Sequence, residues 1–364
     1  MIGLFCVYML KVEVHHDTYS ITLFNSKRVK IIDHVLSGGL FKIINVINLT
    51  LSCAIQRIQI IDLERVQRMN MIVNPDFDNL KKDLVVREHL DFKLDASIPK
   101  YWYANDAFMT RFWGGVCATF PEGERYFISS LRPFRDQISD PYLNREVKDF
   151  MCQEGQHGVV HTEFNLILQE HGMPIDKLVK YQHKIFNLLL GFFSAKYNLA
   201  LTAACEHITA LMMECFFDKK ETMEFVDYRV RAMLAWHSVE EVEHKAVAFD
   251  VMNAVKVSYF TRVSAMIFLI FFFTIDSLRM TNYFLKVDGF SFVQRMKMIW
   301  GGLGKLFGTN GMLAPMGKPF LRYFRRDFHP WQQPTLAHYQ VWLDTYARTG
   351  DPIAAGEAFH QAAR

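Results

Sequence analysis

Two short motifs in the chain each combine a carboxylate with an imidazole. Glu154 and His157 are three residues apart, and Glu241 and His244 repeat this Glu-x-x-His spacing. Residues three or four apart lie on one face of an α-helix, so each motif would direct two metal-binding groups the same way. Two copies are weak support on their own, because a salt-bridged surface helix carries the same spacing.

Two further glutamates strengthen the hypothesis because each lies among apolar residues. Glu124 precedes Glu154 by 30 residues, and Glu206 precedes Glu241 by 35. Glu206 lies within LALTAACEHITALMM, where a solvated helix face would carry more charge. A buried, isolated carboxylate is costly unless a cation neutralises it. Each half of the pattern therefore predicts an antiparallel helix pair with a glutamate opposite a Glu-x-x-His motif.

This arrangement is typical of helical bundles that hold two metal ions. It predicts an all-α fold, a ferritin-like four-helix bundle with additional C-terminal helices. Two divalent ions would balance four carboxylates, and mixed oxygen and nitrogen donors favour iron, with manganese or zinc as alternatives. The predicted metal ligands are Glu124, Glu154, His157, Glu206, Glu241 and His244.

Three neighbouring residues leave the ligand set open. Glu240 lies four residues before His244 and could replace Glu241 as the ligand. His161 and His237 lie one turn from the motifs on the same helix faces. They could be extra ligands, could orient the carboxylates, or could carry protons.

Other polar residues nearby are expected to lie outside the ligand set. His207 follows Glu206 and points about 100° away, so we expect it to pack in the core. Asp227 and Asp250 could accept hydrogen bonds near the site or lie at the surface, and Glu243 is expected to face solvent.

Hydrophobic periodicity predicts the helices that carry these residues. The predicted helices are 107–131, interrupted at Pro121, then a long helix after Asp140-Pro141 that ends at Gly172, then about 178–217 and about 221–256. A glycine-rich passage at 301–319 is predicted to be a loop, and it lacks the glycine spacing of a phosphate-binding motif.

Composition limits the function further. The net charge of +3 gives no global reason to expect nucleic acid as a partner. The six cysteines form no CxxC pair, which favours reduced thiols and a cytoplasmic protein.

Residues 1–70 differ in character from the rest of the chain. Their apolar runs do not have the pattern of a signal peptide. Met69 and Met71 begin the stretch that resembles the remainder, so we interpret 1–70 as an N-terminal extension that arises if translation is assigned to start too early. The metal-binding domain is predicted over 71–345, followed by a C-terminal tail at 346–364.

Phenylalanine and methionine are abundant after residue 180, which favours a small, apolar or lipid-like substrate. The largely apolar run at 263–275 is 13 residues long, short of the roughly 20 that cross a bilayer. It could be a buried core helix or an interfacial segment. The basic, aromatic stretch at 322–334 could pack on the bundle or contact a membrane surface, which would make the protein peripheral.

The stretches FPEGERYFISSLR and DFMCQEGQHGVVHTEFN resemble the bacterial predicted metal-dependent hydrolases, which are similar to the ferritin-like superfamily. The resemblance extends over about 85–345, including WHSVEEVEHKAVAFDV and FHPWQ, and implies the same six ligands.

The ligand types alone favour a di-iron, O2-activating oxidoreductase. The alternatives are a metal-dependent hydrolase that activates water, with His161 or His237 as proton carrier, and a non-catalytic metal-storage protein.

Overall fold

The computed structural model describes residues 81–332 and 336–363, together with the backbone of three strands near the N-terminus. The chain divides into two units, Met1–Pro75 and Asp76–Arg364. In the first unit the three strands form an antiparallel sheet in the order β1-β2-β3, with Met9 opposite Phe24 and Ile21 opposite Ile32. The strands are β1 (Met9–His15), β2 (Thr18–Asn25) and β3 (Arg28–Ile32). The rest of the predicted N-terminal extension lies outside the described residues, so its start-site origin stays a prediction.

The second unit is built from helices. Within 81–332 and 336–363 the regular elements are α-helices and short 3-10 turns, apart from one isolated bridge between Tyr103 and Val226. The all-α prediction is confirmed for this unit, whereas the ferritin-like assignment stays a prediction. The helices are α1 (Ala107–Leu131), α2 (Pro141–Glu170), α3 (Ile175–Phe192), α4 (Ala195–Phe217), α5 (Lys220–Met223), α6 (Tyr228–His244), α7 (Val247–Ala254), α8 (Tyr259–Val287), α9 (Phe292–Phe307), α10 (Gly317–Arg322), α11 (Tyr339–Thr349) and α12 (Pro352–Ala362).

Four of these helices surround the centre of the unit. Helix α1 packs along α2 and also contacts α4, while α6 packs against both α4 and α2. Helices α3 and α8 cover α1, α8 also covers α4, and α12 covers α6. Helix α6 is so enclosed that every residue from Arg229 to His244 is buried. Its charged residues therefore need partners inside the protein.

The boundaries differ from the prediction in two of the helical stretches. Helix α1 continues through Pro121, because a proline keeps helical φ and removes only one backbone hydrogen bond. The stretch predicted as one helix over 178–217 is two, α3 and α4. Phe193 is extended there, and the Ser194 side chain caps α4 by accepting from the Tyr197 N–H.

Two further predictions of helix and loop need correction. The stretch predicted as a helix over about 221–256 contains α5, α6 and α7. Asp227 begins α6 as its N-cap by accepting from the Arg229 N–H, and α6 ends at His244. The glycine-rich passage predicted as a loop is helical up to Phe307. Gly302 permits this, because a Cβ there would lie 2.1 Å from the Phe108 ring.

In the part of the chain that the structure describes, two helices are long and apolar enough to cross a membrane. Helix α4 is a core helix, since 89% of its most apolar window is buried, but only 39% of the corresponding window of α8 is buried. The 13-residue run at 263–275 therefore belongs to a helix of 29 residues that is largely uncovered on one side.

The C-terminal segments pack onto the bundle. Tyr323, Phe328 and Trp331 are buried, so these aromatic residues of the 322–334 stretch do not form a membrane belt. Helix α12, in the predicted tail, lies in the same unit as the bundle and meets α6 at Gly356.

The contact between α12 and α6 can be tested at Gly356. A Cβ at this position would lie 2.6 Å from the Ala232 Cα, so Gly356→Ala must separate two backbones. We expect a loss of stability of about 1–3 kcal/mol, measured by urea unfolding. Gly301→Ala is the matched control, since nothing lies within 4 Å of a Cβ there and alanine favours a helix. Equal stability of the two variants would contradict the close contact.

Candidate metal centre

The predicted ligands come from the four central helices. Glu124 lies on α1, Glu154 and His157 on α2, Glu206 on α4, and Glu241 and His244 on α6. All six side chains are buried, with at most 2% exposure. Helical periodicity directs each motif inward, and the packing of α1, α2, α4 and α6 brings the motifs together.

The six residues form two groups that share one glutamate. Ligand atoms of Glu124, Glu154 and His157 lie within 4.8 Å of one another, and so do those of Glu154, Glu206, Glu241 and His244. Two adjacent groups with a common carboxylate are compatible with a pair of neighbouring metal ions. The structure thus brings the predicted set together, and its role as ligands stays a prediction.

Most of the carboxylate oxygens in the cluster have no hydrogen-bond partner. Both oxygens of Glu124, Glu154 and Glu206 are buried and unpaired, as is Glu241 Oε2. A carboxylate removed from water in this way is unfavourable unless a cation or a proton neutralises it. The donor set therefore fits divalent metal ions, which bind through oxygen and imidazole nitrogen.

Burial and mutual repulsion shift the acidity of these groups. Burial, together with the charges of Glu241 and Glu206, raises the pKa of Glu124 well above its usual value. Burial and then Glu241 raise the pKa of Glu206 to about 7. For Glu241 burial also acts upward, but His244 and His237 outweigh it and hold the pKa at about 2. One carboxylate is thus charged beside others that resist ionisation, as expected where a cation binds.

His157 is oriented by a glutamate outside the predicted set. Its Nε2 donates to Glu240 Oε2 at 3.1 Å, while its Nδ1 has no partner and faces Glu124 and Glu154. Glu240 in turn accepts from Arg87 at 3.0 Å. A carboxylate that fixes the second nitrogen of a ligating histidine is a frequent feature of metal sites. Glu240 therefore orients His157 here, and Glu241 is the residue that joins the cluster.

His244 is oriented by an amide. Its Nδ1 donates to Gln153 Oε1 at 3.0 Å. Its Nε2 lies 3.2, 3.3 and 3.5 Å from oxygens of Glu154, Glu206 and Glu241 without forming an aligned hydrogen bond. The nitrogen that faces the three carboxylates is thus the one left available for a ligand.

The expectation that Glu243 faces solvent is wrong. Glu243 is fully buried and accepts hydrogen bonds from Arg87, Gln153 and Tyr339 at 2.7–3.0 Å. It holds Gln153 and, through Arg87, Glu240. Arg87, Gln153 and Tyr339 could not be identified from the sequence, because Glu243 lies 90 or more residues from each of them and no local spacing links them to it.

His161 and His237 extend the cluster towards α1. His237 Nε2 lies 3.0 Å from Glu241 Oε1, and His237 Nδ1 lies 2.8 Å from His161 Nε2. Because the Glu241 carboxylate accepts, His237 carries its proton on Nε2, so its Nδ1 accepts the proton of His161 Nε2. His161 Nδ1 is then a bare, buried acceptor with no partner. The edge of the Phe120 ring contacts both imidazoles.

The remaining candidates lie away from the cluster. His207 stacks on Tyr323 with ring centroids 5.0 Å apart, which is the packed position expected for it. Asp227 caps α6 and Asp250 pairs with His329 at 2.8 Å. Neither contacts a cluster residue.

An apolar cavity of about 100 Å³ adjoins the carboxylates. Glu124, Glu154 and Glu241 line it. The apolar side chains of the lining include Phe120, Phe127, Phe186, Leu269, Ile270, Phe272 and Phe273. An engineered apolar cavity of about 150 Å³ binds benzene, so this space suits part of an apolar substrate.

The first test of the centre is its metal content. We expect the purified protein to hold about two divalent ions per chain, as in other bundles with this donor set. Glu206→Gln should reduce the content measured by mass spectrometry of the digested protein, because it removes a charged donor. Glu163→Gln on the exposed side of α2 is the control and should leave it unchanged. Equal metal content in both variants would exclude Glu206 as a ligand.

The role of Glu240 predicts a smaller, separate effect. Glu240→Gln keeps the side chain but weakens its hold on His157, so metal affinity should fall by about 10- to 100-fold while the number of ions stays the same. A competition titration with a chromophoric chelator measures this, with Glu224→Gln as the control at an exposed position. A lower ion count would instead make Glu240 a ligand.

Comparison with known proteins places the site within a described family. The family model described as "Predicted metal-dependent hydrolase" matches residues 86–334, a stretch that includes the six clustered residues and Glu240. Searches of curated proteins and of solved structures give no match.

Proposed function

The chain belongs to the predicted metal-dependent hydrolase family, and from this premise we propose that it hydrolyses an ester with an apolar chain at a two-metal centre. The proposal depends on one observation above all. Buried, unpaired carboxylates converge on two imidazole nitrogens directly beside an apolar cavity. The six ligands would be those of the two groups that share Glu154.

When bound, a pair of divalent ions supplies a nucleophile at neutral pH by lowering the pKa of water, and polarises a carbonyl group. The protein provides the rest. Glu240 and Gln153 hold His157 and His244 with the required nitrogen towards the cluster. Fixed ligands lose little conformational freedom when the ions bind.

The two additional histidines would move a proton. Glu241 accepts from His237 Nε2 and His237 Nδ1 accepts from His161 Nε2, so His161 Nδ1 is the nitrogen that would take up the proton released by the attacking water. The alcohol that leaves the ester requires one proton, and His161 would return this proton to it. His161 and His237 would thus be proton carriers in this proposal.

The cavity would bind the apolar part of the substrate. Phe127 and Phe186 line it together with residues of α8. Among the described residues, the carboxylates that line it are Glu124, Glu154, Glu241 and Asp276. An apolar acyl chain placed there would exclude water and leave its carbonyl carbon beside the carboxylates. Activity should therefore increase with acyl length until the cavity is filled.

An esterase assay without oxygen tests the proposal. The protein, reconstituted separately with zinc, manganese or ferrous iron, is mixed with p-nitrophenyl esters of increasing acyl length. We expect His237→Gln to lower kcat by about 100-fold or more with the metal content unchanged. His183→Gln, at an exposed position, is the control. Absence of turnover with every metal and ester would contradict the hydrolase.

Dioxygen chemistry is a second candidate, and only the donor set favours it. Di-iron carboxylate proteins take one glutamate from each of two helices and a Glu-x-x-His motif from each of two others, which is the donor set seen here. The family description gives the oxidoreductase expectation no support. Oxygen uptake by the ferrous protein, without ester hydrolysis, would favour this candidate. Many irons per chain would favour storage.

A further inference from the structure

Helices α8 and α9 both expose large apolar side chains to solvent. Eight residues of α8 are exposed, among them Phe260, Thr274 and Lys286, and the other five follow one i, i+4 row along the surface of the helix. These are Phe271, Ile275, Arg279, Tyr283 and Val287. Four of the five are apolar or aromatic. A soluble helix carries polar residues on such a face, so the α8 line is unusual.

Helix α9 follows α8 in the chain, packs against it and also exposes apolar residues. Only Gly302 and Leu306 of its 16 residues are buried. Phe292 is 65% exposed, Val293 61% and Trp300 76%. Trp300 is the most exposed large apolar residue in the part of the chain that the structure describes. We refer to the exposed apolar residues of both helices as the α8–α9 surface, comprising Phe271, Ile275, Tyr283, Val287, Phe292, Val293, Trp300 and Phe307.

The sequence that carries α9 is basic throughout. From residue 289 to residue 326 there are seven lysines and arginines and no aspartate or glutamate. The cations are Arg295, Lys297, Lys305, Lys318, Arg322, Arg325 and Arg326. Lys297 lies one turn before Trp300 on the exposed side of α9. Lys305 and Arg325 are already paired, with Asp106 and Asp327, which leaves Lys297 and the other cations free of such ion pairs among the described residues. Exposed aromatic residues beside such cations are complementary to the headgroups of anionic lipids.

We infer that the α8–α9 surface docks on the surface of a membrane that contains anionic phospholipids. Trp300 and its apolar neighbours would enter the interfacial layer, and the cations would contact lipid phosphates. Docking does not require the proposed hydrolase. It would, however, place α8 in the interface, and Leu269, Ile270, Phe272 and Phe273 of this helix also line the cavity. A substrate dissolved in the bilayer would then have a short, apolar route to the centre.

Vesicle flotation with the full chain tests the docking. The vesicles contain either phosphatidylcholine alone or phosphatidylcholine with phosphatidylserine. We expect binding to the anionic vesicles, weakened by added salt, and a loss of about tenfold or more in partitioning for Trp300→Glu. Phe225→Glu is the control, because Phe225 is 73% exposed but lies outside the surface.

A second pair of variants separates charge from apolar contact. Lys297→Glu should weaken binding to anionic vesicles, and Lys148→Glu on the exposed side of α2 should not. Absence of binding to both vesicle types would overturn the inference, as would equal losses for Trp300→Glu and Phe225→Glu. Sedimentation velocity without lipid tests whether a second copy of the chain occupies the α8–α9 surface. Dimers that Trp300→Glu dissociates would assign the surface to a second copy of the chain instead.

Discussion

The buried carboxylate cluster is the constraint on which the rest of the fold depends. Glu124, Glu154, Glu206 and Glu241 lie almost without solvent contact between four helices, and most of their oxygens have no hydrogen bond. Such a centre is stable only if cations enter it or protons neutralise it. The surrounding helices must therefore hold donor atoms close together against their mutual repulsion, and the covering helices must exclude water from them.

Much of the cluster could be predicted from sequence because helical spacing is local. Glu154 and His157 share a face wherever that segment is helical, and Glu206 is noticeable among apolar neighbours. The orienting residues could not be found in this way. Arg87 reaches Glu240 across 153 positions, and no periodic pattern marks such a pair. The all-α class followed from periodicity alone, whereas pairing between helices had to be assumed.

The errors in helix boundaries also have physical causes. Pro121 remains inside α1 because its missing N–H costs one hydrogen bond, and the packing of α1 against five other helices offsets that loss. The predicted helix is interrupted at Ser194, which is the N-cap of α4. In the sequence this is marked only by one serine within an apolar run. Glu243 was predicted to face solvent because it is charged. It is buried instead, and its ion pair with Arg87 makes the buried charge tolerable.

The contacts of Glu243 join distant parts of the chain. Arg87 precedes the first ligand helix and Tyr339 follows the last, and both side chains bind this one carboxylate beside Gln153. During synthesis, a nascent chain can form the six-ligand helices before Tyr339 has left the ribosome. The hydrogen bond from Tyr339 that completes the support of Gln153 and His244 can therefore form only after all six predicted ligands have been synthesised. Full rigidity of the cluster thus depends on a segment made later than the cluster itself.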